Sequence, residues 1–187
     1  VTGFFENNFI IGNDTLISNG FRDIFIAKFD SSGNEIWARQ FGGINLDEAY
    51  GISMDKNNNF FVTGFISFTV VFGNDTLVSI GRDIFIAKFD SSGNALWARK
   101  CGGTSINKGI AVSADSWGNC YFTGSYSDST VFGNDTLYGR GIFISKYDAL
   151  GNELWTRQQG IKIINQNNSY CISADISGNV YLSGQYR

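Results

Sequence analysis

A segment of about twenty residues occurs three times in this chain, and its spacing constrains the fold more than any other feature. DIFIAKFDSSGNEIWARQFGG begins at Asp23, DIFIAKFDSSGNALWARKCGG at Asp83 and GIFISKYDALGNELWTRQQGI at Gly141. Because a repeat of about 60 residues cannot bury its own apolar faces, neighbouring repeats must pack on one another. We expect one domain, with repeats at 1–61, 62–121 and 122–181 and the start of a further repeat at 182–187.

Each repeat predicts four β-strands, which we name A to D. In the second repeat they are expected at 48–55, 60–67, 83–89 and 95–100. Strands C and D carry apolar residues on both faces, which indicates a sheet held between two other sheets. Strand A has small residues at two alternating positions, as expected for the crowded innermost strand of radially packed sheets. They are Ala49, Gly109 and Ser169, then Gly51, Ala111 and Cys171. The predicted fold is all-β, with the four-stranded antiparallel blades of a β-propeller.

Tight turns are predicted wherever the pattern Asp-x-x-Gly-Asn occurs. Glycine suits the position that needs a positive φ, and the aspartate can accept hydrogen bonds from the amides of its own turn. Calcium binding by these aspartates is the alternative. The predicted turn residues are Asp30, Gly33, Asp90, Gly93, Asp115, Gly118, Asp148, Gly151, Asp175 and Gly178.

The runs WARKCGG, GNCYFTG, FGNDTL and DIFISKYDALGNELW together resemble the bacterial SBBP repeat, a family named for seven-bladed β-propellers. Ala27, Asp30, Gly33 and Trp37 are also similar to the tryptophan-docking pattern of quinoprotein propellers. The resemblance implies a propeller fold, a secreted or surface setting, and no catalytic signature. It also implies that tryptophans wedge between blades, here Trp37, Trp97 and Trp155. A closed propeller needs about four to eight blades, so we expect a segment of a larger propeller, completed by further blades of the same parent chain or by other copies.

Composition narrows the possible functions. The net charge is −3 and no block of basic residues occurs, so we expect neither nucleic acid binding nor membrane insertion. Histidine is absent, which removes the commonest general base and zinc ligand and leaves carboxylate chemistry. No catalytic residue, metal site or cofactor is predicted. The three cysteines, Cys101, Cys120 and Cys171, are expected to be buried and free, with a disulfide as the alternative.

The long connections between strands B and C, at 6–22, 67–82 and 127–140, are the leading candidate for a binding site. We expect them to form one rim together with the D to A loops and to bind a protein or a glycan there. The alternative is that GNDTL forms only a small hairpin covering an outer strand. Lysines and arginines that recur in every repeat are interpreted as interblade pairs or solvated edges; they are Lys28, Lys88, Lys146, Arg39, Arg99 and Arg157.

Two further features suggest surface chemistry. Asp-Thr-Leu resembles the O-glycosylation signal of some secreted bacterial proteins, which makes Thr15, Thr76 and Thr136 candidate sites, although turn chemistry also explains the motif. Trp117 is predicted at the tip of a turn, where it could contact a ligand or be a lone exposed aromatic residue.

The sequence therefore favours a non-catalytic scaffold for protein interaction, adhesion or assembly, outside the cell or on its surface. A lectin-like glycan-binding propeller is one alternative. The other is a polysaccharide lyase or hydrolase that uses rim carboxylates such as Asp47 and Glu48.

Overall fold

A computed structural model describes residues 1–159 and 168–185. Within these ranges the regular elements are β-strands, and no helix is long and apolar enough to cross a membrane. The strands are β1 (Thr2–Phe5), β2 (Asn8–Ile11), β3 (Asp14–Ile17), β4 (Asp23–Phe29), β5 (Glu35–Phe41), β6 (Glu48–Met54), β7 (Phe60–Phe72), β8 (Asp75–Phe89), β9 (Ala95–Cys101), β10 (Lys108–Ala114), β11 (Cys120–Ser127), β12 (Thr130–Phe132), β13 (Asp135–Leu137), β14 (Arg140–Tyr147), β15 (Glu153–Gln159), β16 (Asn168–Ala174) and β17 (Val180–Gln185).

The strands form the predicted blades. The second and third blades are four-stranded antiparallel sheets, ordered β6-β7-β8-β9 and β10-β11-β14-β15. The described strands of the first blade are β1-β4-β5, and those after the third blade are the pair β16-β17. The fold class expected from the repeat, all-β with propeller blades, is confirmed.

The first strands of successive blades pack directly on one another, β6 on β10 and β10 on β16. A Cβ atom added at Gly51 would lie 2.9 Å from the Cα of Ala111 in the next blade. Small side chains are needed here because the two backbones approach each other closely. The stripe of small residues therefore marks the place where adjacent blades converge.

Between the blades lie two apolar clusters, one joining the first blade to the second and one joining the second to the third. Strand β8 is buried on both faces, as expected: Ile84, Phe85 and Ile86 are fully buried. The same expectation for the fourth strand is wrong. Leu96 in β9 is 53% exposed, because no neighbouring sheet covers the face of the outer strand on which it lies.

All three cysteines are free, and the expected burial holds for only two of them. Cys101 and Cys120 are buried between the second and third blades, where burial raises the pKa of the Cys101 thiol to about 12. Cys171 is exposed, contrary to expectation. It occupies the position of Gly51 and Ala111, and no further blade packs on β16 among the described residues.

Candidate functional site

The connections between the second and third strands of each blade are hairpins rather than open loops. In the first repeat β2 pairs with β3, and in the third β12 pairs with β13. In the second repeat the hairpin extends β7 and β8, with Phe72 opposite Asp75 at its tip. The hairpin that the sequence offered as an alternative is therefore present in all three repeats.

Each hairpin is attached to the outer strand of its own blade by the aspartate of GNDTL. The N–H of Ala38 in β5 donates to Asp14 Oδ2 at 2.8 Å, and the N–H of Ala98 in β9 donates to Asp75 Oδ2 at 2.7 Å. In the third blade the N–H of Thr156 in β15 donates to Asp135 Oδ2 at 2.8 Å. An outer strand presents unpaired N–H groups to solvent, and these carboxylates satisfy one of them in each blade. The turn pattern of GNDTL did not predict this role for the aspartate.

A second set of contacts fixes the hairpin tip and the side chains beside it. Glu35 accepts a hydrogen bond from the N–H of Asn13 at 3.1 Å, and Glu153 accepts one from Asn134 at 2.6 Å. Arg99 lies 3.3 Å from Asp75 and also donates to Gly151 O of the next blade at 3.1 Å. The recurrent arginine thus links a hairpin, its own blade and the neighbouring blade.

The outer surface of every hairpin carries apolar side chains on both sides of a threonine. Leucines Leu16, Leu77 and Leu137 point inward and are buried. The residues that alternate with these leucines form the opposite face. Its apolar side chains are exposed, from 46% at Val131 to 73% at Ile10. We call these residues the hairpin faces: Ile10, Thr15 and Ile17; Val71, Thr76 and Val78; Val131, Thr136 and Tyr138. Apolar surface repeated in this way is typical of an interaction site. The signal for these faces in the sequence is the alternation of apolar and polar residues around GNDTL.

The threonines proposed for glycosylation lie in the middle of these faces. Thr15 and Thr76 are exposed, whereas Thr136 is half-buried. All three belong to paired strands, opposite Ile10, Val71 and Val131 respectively.

The loops between blades border the same rim. Residues Leu46 and Ile106 of the first two loops form isolated parallel bridges with Arg22 and Arg82. The third such loop, at 160–167, lies outside the described residues.

Asp47 and Glu48, the carboxylates of the enzyme alternative, are engaged within the fold. Asp47 is fully buried and accepts hydrogen bonds from the N–H groups of Gly43 and Ser67, both at 2.8 Å. Burial raises the pKa of Asp47 to about 6. Glu48 accepts hydrogen bonds from Arg22, at 2.7 Å, and from the hydroxyl of Tyr50.

In the third blade, Asn107 stands where Asp47 stands in the second, and it accepts from the N–H of Ser127 at 3.1 Å. An amide performs the same loop attachment, so the charge of Asp47 is not what this position requires. No group of three or more acidic or thiol side chains suited to a metal ion occurs in the described part of the chain.

Trp37 and Trp97 lie between blades. The indole N–H of Trp97 donates to Ala149 O in the third blade at 3.0 Å. A Cβ atom added at Gly93 in the second blade would lie 3.1 Å from the ring of Trp37. Trp155 is half-buried, with its ring centroid 6.1 Å from that of Tyr121.

The Asp-x-x-Gly-Asn turns use their own carboxylates. Asp30 Oδ1 accepts from the N–H groups of Ser32 and Asn34, at 2.8 and 2.9 Å, and the side chain of Asn34 donates to Oδ2. These hydrogen bonds lower the pKa of the Asp30 carboxyl, and the bond from the Asn34 side chain contributes most. The same bonds recur at Asp90, Asp115, Asp148 and Asp175. The glycines have φ of 85° at Gly33, 84° at Gly93, 82° at Gly118, 83° at Gly151 and 81° at Gly178.

Trp117 and Lys88 lie near the turns rather than near the hairpins. Trp117 is 59% exposed. A Cβ atom added at Gly178, in the next such turn, would lie 3.5 Å from its ring. Lys88 is buried, with its Nζ 3.3 Å from Asp55 Oδ2.

Four-stranded antiparallel blades that pack on one another through their first strands are typical of the β-propeller class of repeat protein. The chain is similar to an uncharacterised WD repeat-containing protein, L264 of Acanthamoeba polyphaga mimivirus, with 26% identity over 189 aligned positions, covering 81% of this chain and 13% of that protein. It is also similar to the regulatory protein FlaEY of Caulobacter vibrioides, with 26% identity over 110 positions, covering 55% of this chain and 11% of that protein. The chain therefore spans a small part of each relative. No family model matches the sequence, the SBBP repeat included.

Proposed function

We propose that this chain is a non-catalytic β-propeller scaffold that binds a protein partner through its hairpin faces. The observation that carries the proposal is the recurrence of exposed apolar side chains on either side of a threonine in all three repeats. A partner that spans adjacent blades would meet the same surface chemistry two or three times.

The anchoring of the hairpins supports this function. Each hairpin is hydrogen-bonded internally and joined to the outer strand through Asp14, Asp75 or Asp135. Because these strands are already ordered, a partner would bind them with little further loss of conformational entropy. The similarity to a protein named for WD repeats also favours a propeller scaffold over an enzyme.

The setting that we propose is extracellular or at the cell surface, with adhesion or assembly as the use. It rests on the resemblance to the SBBP repeat. O-glycosylation at Thr15, Thr76 and Thr136 belongs to the same proposal, and a sugar there would cover part of each hairpin face.

Site-specific photo-cross-linking in cells of the source organism tests the binding surface. We expect a cross-linking residue at Val78 to capture a protein, and one at the exposed Lys56, in the turn that follows β6, to capture none. The purified partner should bind the wild-type chain and its Lys56→Asp variant equally, and should lose affinity for Val78→Asp. Capture from position 56 alone, or binding insensitive to Val78→Asp, would contradict the proposal.

A lectin-like function uses different side chains and gives a different result. In that case a glycan array would show saturable binding that Trp117→Ala abolishes and Val78→Asp preserves, since Trp117 is the exposed aromatic residue of a turn.

A further inference from the structure

Two cations without a carboxylate partner lie between the second and third blades. The guanidinium carbon of Arg82, in β8, is 5.0 Å from the ring centroid of Phe65, and Nζ of Lys108, in β10, is 5.5 Å from the same centroid. Both cationic residues are half-buried, and Phe65 is 1% exposed. Within residues 1–159 and 168–185, neither cationic side chain forms an ion pair or donates a hydrogen bond to the protein. We call these three residues the cationic site.

The preceding repeat shows what the same position binds. Arg22 is the counterpart of Arg82, and its guanidinium carbon also lies over a phenylalanine, 4.8 Å from the ring centroid of Phe4. Arg22 pairs with two carboxylates: its Nε is 2.7 Å from Glu6 Oε1, and its Nη1 is 2.7 Å from Glu48 Oε1 in the next blade. An arginine held over this ring is therefore well placed to bind carboxylates.

The second repeat lacks both of these carboxylates. Ser67 stands where Glu6 stands in the first repeat, and Lys108 stands where Glu48 stands. One acidic side chain is replaced by a hydroxyl and the other by a second cation. The local charge is therefore positive in a chain whose net charge is −3.

The acidic side chains closest in the sequence and in the fold already have partners. Glu48 is buried, and its two oxygens accept hydrogen bonds from Arg22 and from the hydroxyl of Tyr50. Asp83 is fully buried, with its Oδ2 2.8 Å from Nζ of Lys100. These carboxylates are thus held by other groups, and solvent or a ligand must satisfy the donors of the cationic site.

We propose that the cationic site binds a carboxylate side chain of an acidic peptide segment. The guanidinium of Arg82 would donate paired hydrogen bonds to the carboxylate, and the ammonium of Lys108 would add a second charge, as in the recognition of acidic motifs by clustered cations. The ring of Phe65 holds both cations in place through cation–π contacts. This contact adds to the proposed protein-binding function, but it does not rest on the hairpin faces.

The probe is a capped peptide in which glutamate alternates with glycine, titrated into the 187-residue chain by calorimetry at low ionic strength. We expect saturable binding that weakens as salt is added, because the pairing is electrostatic. The matched control is the same peptide with glutamine in place of glutamate, which should not bind. Equal binding of the two peptides would overturn the proposal. Tighter binding of a heparin oligosaccharide than of the glutamate peptide would also overturn it, since the site would then select sulfated glycans.

Charge-neutralising variants test which cations bind the peptide. Arg82→Gln should weaken binding by about tenfold, the cost of losing a charge-assisted hydrogen bond. The control is Arg140→Gln, at the exposed counterpart arginine of the third blade, where Ser125 replaces the phenylalanine. It removes the same charge and should leave affinity unchanged. Equal losses in the two variants would show a general charge effect and overturn the assigned site.

Lys108→Glu separates loss of binding from loss of folding. This variant supplies Arg82 with the carboxylate that Glu48 supplies to Arg22, so it should abolish peptide binding while the melting temperature stays at or above the wild-type value. Wild-type affinity in Lys108→Glu would overturn the proposal. Val78→Ser, on a hairpin face, should leave peptide binding unchanged, so the failure of one binding surface is distinguishable from the failure of the other.

Discussion

At the scale of single residues, Trp97 and Trp117 show that one residue type has two roles in this chain. Trp97→Ala should lower the free energy of unfolding by about 3 to 5 kcal/mol, because a buried ring between blades leaves a large cavity. Trp117→Ala should lower it by less than about 1 kcal/mol, because the ring is largely exposed. Urea unfolding of both variants measures the two values. Equal losses would contradict the interblade role of Trp97.

Asp47 should make stability depend on pH in an unusual direction. Its pKa is raised to about 6 in the folded chain, against about 3.9 in an unfolded chain. Between these values the folded state holds the proton and the unfolded state does not. The contribution of Asp47 is therefore full below about pH 4 and is lost as the pH rises through about 6, by on the order of 2 kcal/mol.

The control for this effect is Asp47→Asn, which places the residue of Asn107 in the second blade. The free energy of unfolding of each protein is measured at about pH 4 and at about pH 7.5. The difference between wild type and variant should change between the two pH values by on the order of 2 kcal/mol. The carboxylates with lowered pKa, such as Asp30 and Asp90, remain in both proteins and cancel. A pH-independent difference would contradict the raised pKa.

At the scale of elements, Asp75 joins the hairpin of the second blade to the outer strand β9 by accepting a hydrogen bond from the N–H of Ala98. Asp75→Ala should cost about 1 to 3 kcal/mol, since it leaves the Ala98 N–H without its acceptor, and should speed hydrogen exchange at Ala98. Asp75→Asn keeps an acceptor oxygen and should cost less. Thr76→Ala, on the exposed side of the same strand, should change stability by no more than about 0.5 kcal/mol. An unchanged exchange rate at Ala98 in Asp75→Ala would show that the carboxylate does not hold the edge.

At the scale of the whole molecule, stability should follow the number of neighbours that each blade has. The sheet β6-β7-β8-β9 has apolar clusters on both sides, whereas β16-β17 is a two-stranded pair packed on one blade. In stacked repeats each unit is stabilised by its nearest neighbours. Hydrogen exchange should therefore be slowest in β7 and β8 and fastest in β16 and β17, and uniform protection would contradict this order.

The blade architecture could be predicted from the sequence because the repeat imposes the same pattern three times. Alternation placed Ile84, Phe85 and Ile86 in a strand buried on both faces, and they are buried there. The prediction failed for Leu96, because apolar residues on both faces of a strand do not show whether another sheet covers each face. It failed for Cys171 for the same reason.

The candidate site was predictable only in part. The long connections between strands B and C are hairpins, as in the alternative that the sequence offered, but the sequence did not predict the exposed hairpin faces. The pairing of Val71 with Thr76 depends on where the chain reverses, and the hydrogen bond from Ala98 to Asp75 depends on the hairpin folding back over its own blade. The second contact joins residues 23 positions apart, which alternation along a single strand does not specify.

By itself the sequence determined the period, the strands and the tight turns, because these follow from local alternation, side-chain size and the backbone freedom of glycine. Tertiary structure alone decided which copies of one motif are covered. Lys28 and Lys88, or Ile52 and Val112, occupy equivalent places in their repeats but differ in burial, because burial depends on the neighbouring blade. The local pattern is the same in each repeat, so it cannot specify how deeply each copy is buried.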